Sequence, residues 1–264
     1  MKFLIERLRE PDVAALDVDG QERLSGHARM LARKPMLQAV FREFHHLFDR
    51  MDREHLSGDG IRVELGAGVA PMRDSYPDVL ATDVVPSPNL DRALDAQHMD
   101  LPAGSVRAFF LQNCFHHFPD PDEFFRELER VLQPGGGAVM IEPYHGPFAS
   151  FLYKRLFKTE GFDKHAPAWT VEAHGPMNGA NQALSYLVFV RDLRQFEQKH
   201  PGLEVVRRQP LGNYVKYLLS GGLNFRQLVP DGATPAVNGL EWLLLPLRRL
   251  FALHHLVVIR KKKQ

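Results

Sequence analysis

Four short apolar runs constrain this chain more than any other feature: residues 61–65, 79–82, 106–111 and 137–141, each set apart by polar or helically patterned sequence. Short apolar runs of this kind, alternating with helices, make a parallel sheet buried on both faces. The predicted fold class is therefore α/β, a mostly parallel sheet with helices on both sides. With 264 residues, 44% hydrophobic and 25% charged, the chain has the material for one such domain carrying inserts.

The surrounding pattern divides the chain. From Pro35, the residues Leu37, Val40, Phe41, Phe44, Leu47, Phe48 and Met51 recur at helical spacing, and 57–60 (Ser-Gly-Asp-Gly) stops that helix. Residues 1–26 are polar without a period. Residues 1–57 are thus expected as an N-terminal helical extension, and 58–264 as the main domain. Between the last two apolar runs, Asp120 caps a helix with Pro121 in its first turn and Glu123 completing a capping box. Its stripe is Phe124, Phe125, Leu128, Val131 and Leu132, and the Pro-Gly-Gly-Gly at 134–137 ends it. Another helix starts at Pro147. Residues 159–182 have loop composition, a helical stretch runs to about Lys199, and 203–206 and 255–259 have the pattern of two late strands. Inserts are expected at about 159–200 and 211–253.

Charge and cysteine usage narrow the function. A formal charge of +1 gives no general footprint for nucleic acid. The single cysteine, Cys114, allows neither an intramolecular disulfide nor a cysteine-rich zinc site. The start of the chain is too charged for a secretory leader, and the apolar stretch 242–259 is broken by Pro246, Arg248, Arg249 and two histidines. A cytoplasmic protein is expected.

The segment 63–68, Val-Glu-Leu-Gly-Ala-Gly, holds the first site signal. Glycines directly after a buried strand let the backbone turn sharply and approach a ligand. Asp83, at the end of the next run, is nineteen residues beyond Glu64. An acid at that spacing meets the two ribose hydroxyls of an adenosine. A dinucleotide fingerprint would want glycine at position 71. Pro71 stands there and has no N–H for a pyrophosphate, which favours an adenosine ligand without phosphates and weighs against an NAD-dependent oxidoreductase.

With Glu64-Leu-Gly-Ala-Gly68, Asp83, the Asp-Ala-Gln at 95–97, the Asn-Cys-Phe-His-His-Phe-Pro-Asp at 113–120 and the Gln-Pro-Gly-Gly at 133–136, the sequence resembles the class I SAM-dependent methyltransferases over roughly residues 60–145. Within that family it resembles the ubiquinone/menaquinone-biosynthesis C-methyltransferases and their small-molecule relatives. The resemblance implies a Rossmann-like sheet of seven strands, one of them antiparallel, and S-adenosylmethionine as cofactor. It implies that Gly66, Ala67 and Gly68 line the methionine and ribose portion, with Glu64 towards the methionine ammonium. Asp83 would hold the ribose diol. Asp95 would accept from the adenine amino group, with the backbone of Ala96 and Gln97 beside the ring, and Asn113 would present its backbone near the methionine end. One departure is that Pro71 and Pro77 shorten the first helix of the fold.

Methyl transfer from a sulfonium needs an oriented nucleophile, and for hydroxyl or carbon acceptors a base. Base candidates at the carboxyl ends of the strands are His116, His117, Glu142, Tyr144 and His145. His117, which aligns with a frequent histidine of the resembled family, is the catalytic candidate. No metal is expected, because adjacent histidines on a strand point to opposite faces and no HExxH spacing occurs. Within 159–182, Phe162, His165, Trp169, His174, Asn178 and Asn181 could close over an acceptor. The expected partner is a small-molecule acceptor, lipid-like or quinone-like, with peripheral membrane contact through the apolar insert around Trp242 and the basic tail 260–263. The competing reading is a non-catalytic SAM-binding or membrane-associated scaffold subunit.

Overall fold

The apolar runs become strands in a computed structural model that describes residues 7–11, 21–156, 160–172, 175 and 180–263. In chain order the strands are β1 (Ile61–Leu65), β2 (Val79–Asp83), β3 (Arg92–Ala93), β4 (Val106–Gln112), β5 (Leu132–Pro143), β6 (Leu203–Pro210) and β7 (His254–Lys261). They form one sheet in the order β3-β2-β1-β4-β5-β7-β6. β1 to β5 are parallel, and β7 lies between β5 and β6, antiparallel to both.

The central strand β4 explains why such a run must be apolar throughout. Phe109 and Leu111 enter the core on one face of the sheet, while Ala108 and Phe110 enter the core on the other. The strand period of two sends successive side chains to opposite faces, and here both faces are covered.

Helices supply that cover. α1 (Gln21–Ala32) and α2 (Pro35–His55) precede the sheet; although the stretch to residue 26 has no clear period in the sequence, it is helical from Gln21, with α2 as its partner. The α2 stripe predicted from spacing is buried, with Phe48 against Phe110 at 5.5 Å between ring centroids. Truncating Phe48 to alanine would cost about 3–5 kcal/mol in a site that cannot collapse.

On the opposite face, α3 (Pro121–Val131) buries Phe124, Phe125, Leu128 and Val131. Asp120 caps it through the Asp122 N–H at 2.9 Å. The capping box does not form, because the Glu123 carboxylate pairs with Arg126 instead. The glycines expected to end this helix lie inside β5. A Cβ on Gly137 would sit 2.1 Å from the Ile259 carbonyl oxygen, and one on Gly136 2.6 Å from that of Arg107. Strand backbones pass too closely there for a side chain.

α4 (Pro147–Leu156), α5 (Leu184–Tyr186), a π-turn at Leu187–Arg191 and α6 (Leu193–Lys199) connect β5 to β6. The segment between β6 and β7 is largely helical, with α7 (Tyr214–Ser220), α8 (Thr234–Leu244) and α9 (Arg248–Phe251). α7 packs on both α2 and α8. Among the described residues no helix is long and apolar enough to cross a membrane.

Candidate active site

The carboxyl ends of β1, β2 and β4 meet at the glycine turn. Leu65 ends β1, and Gly66 and Gly68 follow with φ of +69° and +56°. Only glycine adopts this left-handed region without strain. At Gly66 space is restricted as well, since a Cβ would lie 2.5 Å from the Cys114 sulfur. The Asp83 carboxylate closes the turn, taking the Gly68 N–H at 3.2 Å on one oxygen and the Val85 N–H at 3.0 Å on the other. A carboxylate offers about four acceptor positions, so capacity remains for two hydroxyl donors.

Glu64 lies beneath the turn, 2% exposed, and accepts the Met72 N–H at 2.7 Å. Burial pushes its pKa up to about 8; the Met72 N–H opposes the rise, while Asp74 and Asp83 add to it. Met72–Asp74 is a single 3-10 turn, so the first helix of the fold is as brief as the prolines required.

Asp95 organises the next wall. One of its oxygens takes the Gln97 N–H at 2.8 Å, and the other lies 3.4 Å from His98 Nδ1. The Gln97 amide donates to the Asp120 carbonyl, which links this wall to the start of α3. Asn113 follows β4 with φ +50°, the one non-glycine left-handed residue among those described. Its N–H donates to the Ile141 carbonyl at 2.8 Å, and its side-chain Oδ1 is buried without a hydrogen-bond partner. Asparagine tolerates this conformation better than most residues, and a buried acceptor without a donor is a natural point for a ligand.

Glu64, Gly66, Ala67, Gly68, Asp83, Asp95, Ala96, Gln97, Asn113 and His117, the residues picked from the sequence, all line one cavity of about 710 Å³. Its remaining wall was not legible in the sequence. Phe41 comes from α2, Tyr153 from α4, Tyr217 from α7 and His254 from β7, with Glu160, Gln182 and Phe225 between elements. None of these belongs to a motif: Phe41 and Tyr153 sit in helices read only for their packing, and Glu160, Gln182, Tyr217 and Phe225 in segments that read as loop or insert.

The histidine pair corrects an assumption. His116 and His117 sit on the 3-10 turn Phe115–His117, not on a strand, and their rings lie together with centroids 4.2 Å apart. Phe115 is the residue that packs against α3, touching Phe124 and Phe125. His116 is buried with Nδ1 2.6 Å from Glu142 Oε2 and Nε2 3.7 Å from Glu160 Oε2. The other Glu142 oxygen accepts the Cys114 and Phe115 N–H groups, each at 2.9 Å. Burial opposes charge on His116, but Glu142 and Glu160 outweigh it and hold its pKa up at about 9. Burial would raise Glu160, yet its hydrogen bond and attraction to His116 bring it down to about 2. Gln182 donates to Glu160 from the other side. One imidazolium is thus fixed between two carboxylates, with His117 beside it at the cavity wall.

Tyr144 and His145 are not part of this wall. Tyr144 binds back to the Leu253 carbonyl, and His145 lies against the Tyr186 ring. In the long loop, Phe162 stacks on Tyr153, the Trp169 indole donates to Asp192, and Asn181 holds the backbone of residues 163 and 183. These are structural ties, and His165 is exposed. His174 and Asn178 lie outside the described residues.

Residues 66–140, which span the glycine turn, Asp83, Asp95 and the histidine turn, match the family described as a methyltransferase domain. Solved structures similar to this chain include geranyl diphosphate C-methyltransferase from Streptomyces coelicolor A3(2), at 13% identity and TM-score 0.49 over 97% of this chain and 91% of that one. A SAM-dependent methyltransferase from Archaeoglobus fulgidus is similar at 14% identity and TM-score 0.49, over 83% and 94% of the two chains. No curated protein matches the sequence significantly. The geometry can be tested against the S-adenosylmethionine that the sequence resemblance implies. The site fits it: the glycines leave the turn open to a ligand, Asp83 keeps acceptor capacity for a diol, and Asn113 Oδ1 lacks a donor.

Proposed function

We propose that this enzyme methylates a small, largely apolar acceptor, lipid-like or quinone-like, in the cytoplasm. The observation that carries the reading is the single cavity that joins the adenosine-type turn to a second wall of Phe41, Tyr153, Tyr217 and Phe225. Apolar walls with a few converging polar groups are how small-molecule sites are built. Residues 58–264 are taken as the methyltransferase domain, and 1–57 as a helical extension whose α2 covers one sheet face.

The residue roles follow from position. Asp83 would hold the ribose hydroxyls, Glu64 the methionine ammonium, and the backbone at Gly66, Ala67 and Gly68 the chain between them. Asp95, Ala96 and Gln97 would flank the adenine, and Asn113 the methionine end. When bound, S-adenosylmethionine supplies an electrophilic methyl on a sulfonium, so no acid is needed for the leaving group.

The protein's own task is to orient the nucleophile and take its proton. His117 would be the base, because it stands at the cavity wall at the carboxyl end of β4. The neighbouring His116 is a positioning residue: its bond to Glu142 fixes the turn that carries His117. Glu160 and Gln182 offer polar atoms opposite, where an acceptor hydroxyl could be held. Incubating the protein with methyl-labelled S-adenosylmethionine and candidate lipid and quinone extracts tests the reading. A labelled apolar product supports it, whereas label confined to polar solutes or nucleic acid refutes the acceptor class.

A further inference from the structure

We propose that the face built by α8, α9 and the outer side of α4 docks the enzyme onto an anionic lipid surface. The proposal stands apart from the acceptor's identity and from methyl transfer itself.

The face is apolar where a helix normally meets its partner, yet nothing in the described chain covers it. Leu240, Leu243, Leu247 and Leu250 recur at steps of three and four, the same spacing that buries the α2 stripe. Here those side chains are exposed: Trp242 is 78% accessible, Leu243 66% and Leu250 50%. The patch continues onto α4. The Phe251 ring meets Phe148 edge-on at 5.6 Å, and Phe151, one turn further along α4, is 51% exposed. The Arg155 guanidinium lies 3.9 Å from the Phe151 ring centroid. A contiguous apolar area of this kind marks a binding surface.

Charge identifies the occupant. Residues 234–251 carry Arg248 and Arg249, and residues 147–156 carry Lys154 and Arg155. The one acid in either segment is Glu241, which is 9% exposed and is occupied by Lys216, through its N–H at 2.7 Å and its ammonium at 3.6 Å. The two segments thus carry four cations and no exposed carboxylate, with Arg155 placed directly against the patch at Phe151. Tryptophan and leucine set among arginine and lysine suit the boundary between acyl chains and anionic headgroups.

Position links the face to the cavity. α4 turns Tyr153 and Leu156 inward to the cavity while Phe151 is exposed, and α9 leads directly into His254, another lining residue. The basic tail does not share this face. Lys262 and Lys263 follow the far end of β7, eight residues from His254, which at about 3.3 Å per residue places them some 25 Å away. Arg260 and Lys261 there are tied to Glu204 and to the carbonyls of Glu129 and Leu132. The tail's expected part in membrane contact is therefore withdrawn.

Co-sedimentation of the full chain with vesicles of phosphatidylcholine, alone or mixed with phosphatidylglycerol, tests the proposal at low and high salt. The wild-type protein should bind the mixed vesicles and lose affinity as salt rises. Trp242→Ser with Leu243→Ser, and separately Arg248→Gln with Arg249→Gln, should each weaken binding roughly tenfold or more. Melting curves and calorimetry with S-adenosylmethionine should be unchanged in both, because Trp242, Leu243 and Arg249 are exposed, Arg248 is only half-buried, and all four lie outside the cavity. Absence of vesicle binding, or equal binding by stable variants, overturns the proposal. So does a wild-type dimer in sedimentation velocity that Trp242→Ser dissociates, since the face would then belong to a second copy. Vesicle binding without S-adenosylmethionine binding would leave the docking face standing and defeat the functional reading.

Discussion

Replacing Glu64 by glutamine should make the free enzyme more stable and a poorer binder of S-adenosylmethionine. The side chain is buried under the glycine turn and its pKa is pushed up to about 8, chiefly by that burial. Between the ordinary carboxyl value of 4.5 and 8, the unfolded chain is ionised while the folded one keeps its proton. Stability from this group is therefore highest in acid and falls as pH rises, at about 1.4 kcal/mol per unit, reaching a cost of about 3 kcal/mol at pH 7. Glutamine keeps an oxygen for the Met72 N–H but carries no charge to desolvate. Glu64→Gln should accordingly raise stability by up to ~3 kcal/mol at neutral pH and by almost nothing below pH ~4. Ligand binding should behave inversely. If the ammonium of the ligand is met by ionised Glu64, binding must first expel about 0.9 proton at pH 7, and wild-type affinity should rise almost tenfold per unit from about pH 6 to 7. Calorimetry in buffers of different ionisation heat reads the proton release directly, and denaturant unfolding across pH reads the stability. The same proton release in Glu64→Gln as in wild type, or a variant no more stable at neutral pH, would refute the reasoning.

Asp83→Ala should weaken S-adenosylmethionine binding about tenfold to a hundredfold, the value of charge-assisted bonds to a diol partly replaced by water; a wild-type affinity with an unchanged melting curve would put the ribose elsewhere. NAD and NADP should show no calorimetric binding, since the turn lacks an N–H at Pro71, and nicotinamide-cofactor binding tighter than that of S-adenosylmethionine would contradict the site. His117→Ala should lower turnover by about 10²–10⁴ with little change in cofactor affinity; a stable variant with full turnover would remove His117 as the base. Gly66→Ala should lose roughly 1–3 kcal/mol of stability, because its Cβ meets the Cys114 sulfur and its φ is positive, and a thermal melt matching wild type would show that the turn can relax.

The sequence by itself determined most of the sheet and the residues of the glycine-turn side of the cavity. A strand buried on both faces has no freedom to be polar, so the runs at β1, β2, β4 and β5 stood out, and glycine with positive φ has no substitute at the turn after β1. Those constraints are local, and local constraints leave patterns. The tertiary structure decided what depends on distant contacts. β3 is two residues long and gains its place only by pairing with β2. α1 needed α2 to be a helix worth forming, and the glycines of β5 were set by the carbonyls of Arg107 and Ile259. The second wall of the cavity is assembled from α2, α4, α7 and β7, each giving one or two side chains, so no stretch of sequence held enough of it to be recognised. The histidine pair shows the same limit at closer range. Its residues were visible, but only the turn that brings the rings together, and the Glu142 and Glu160 carboxylates brought from elsewhere in the chain, fix one as an imidazolium and leave the other beside it at the cavity wall.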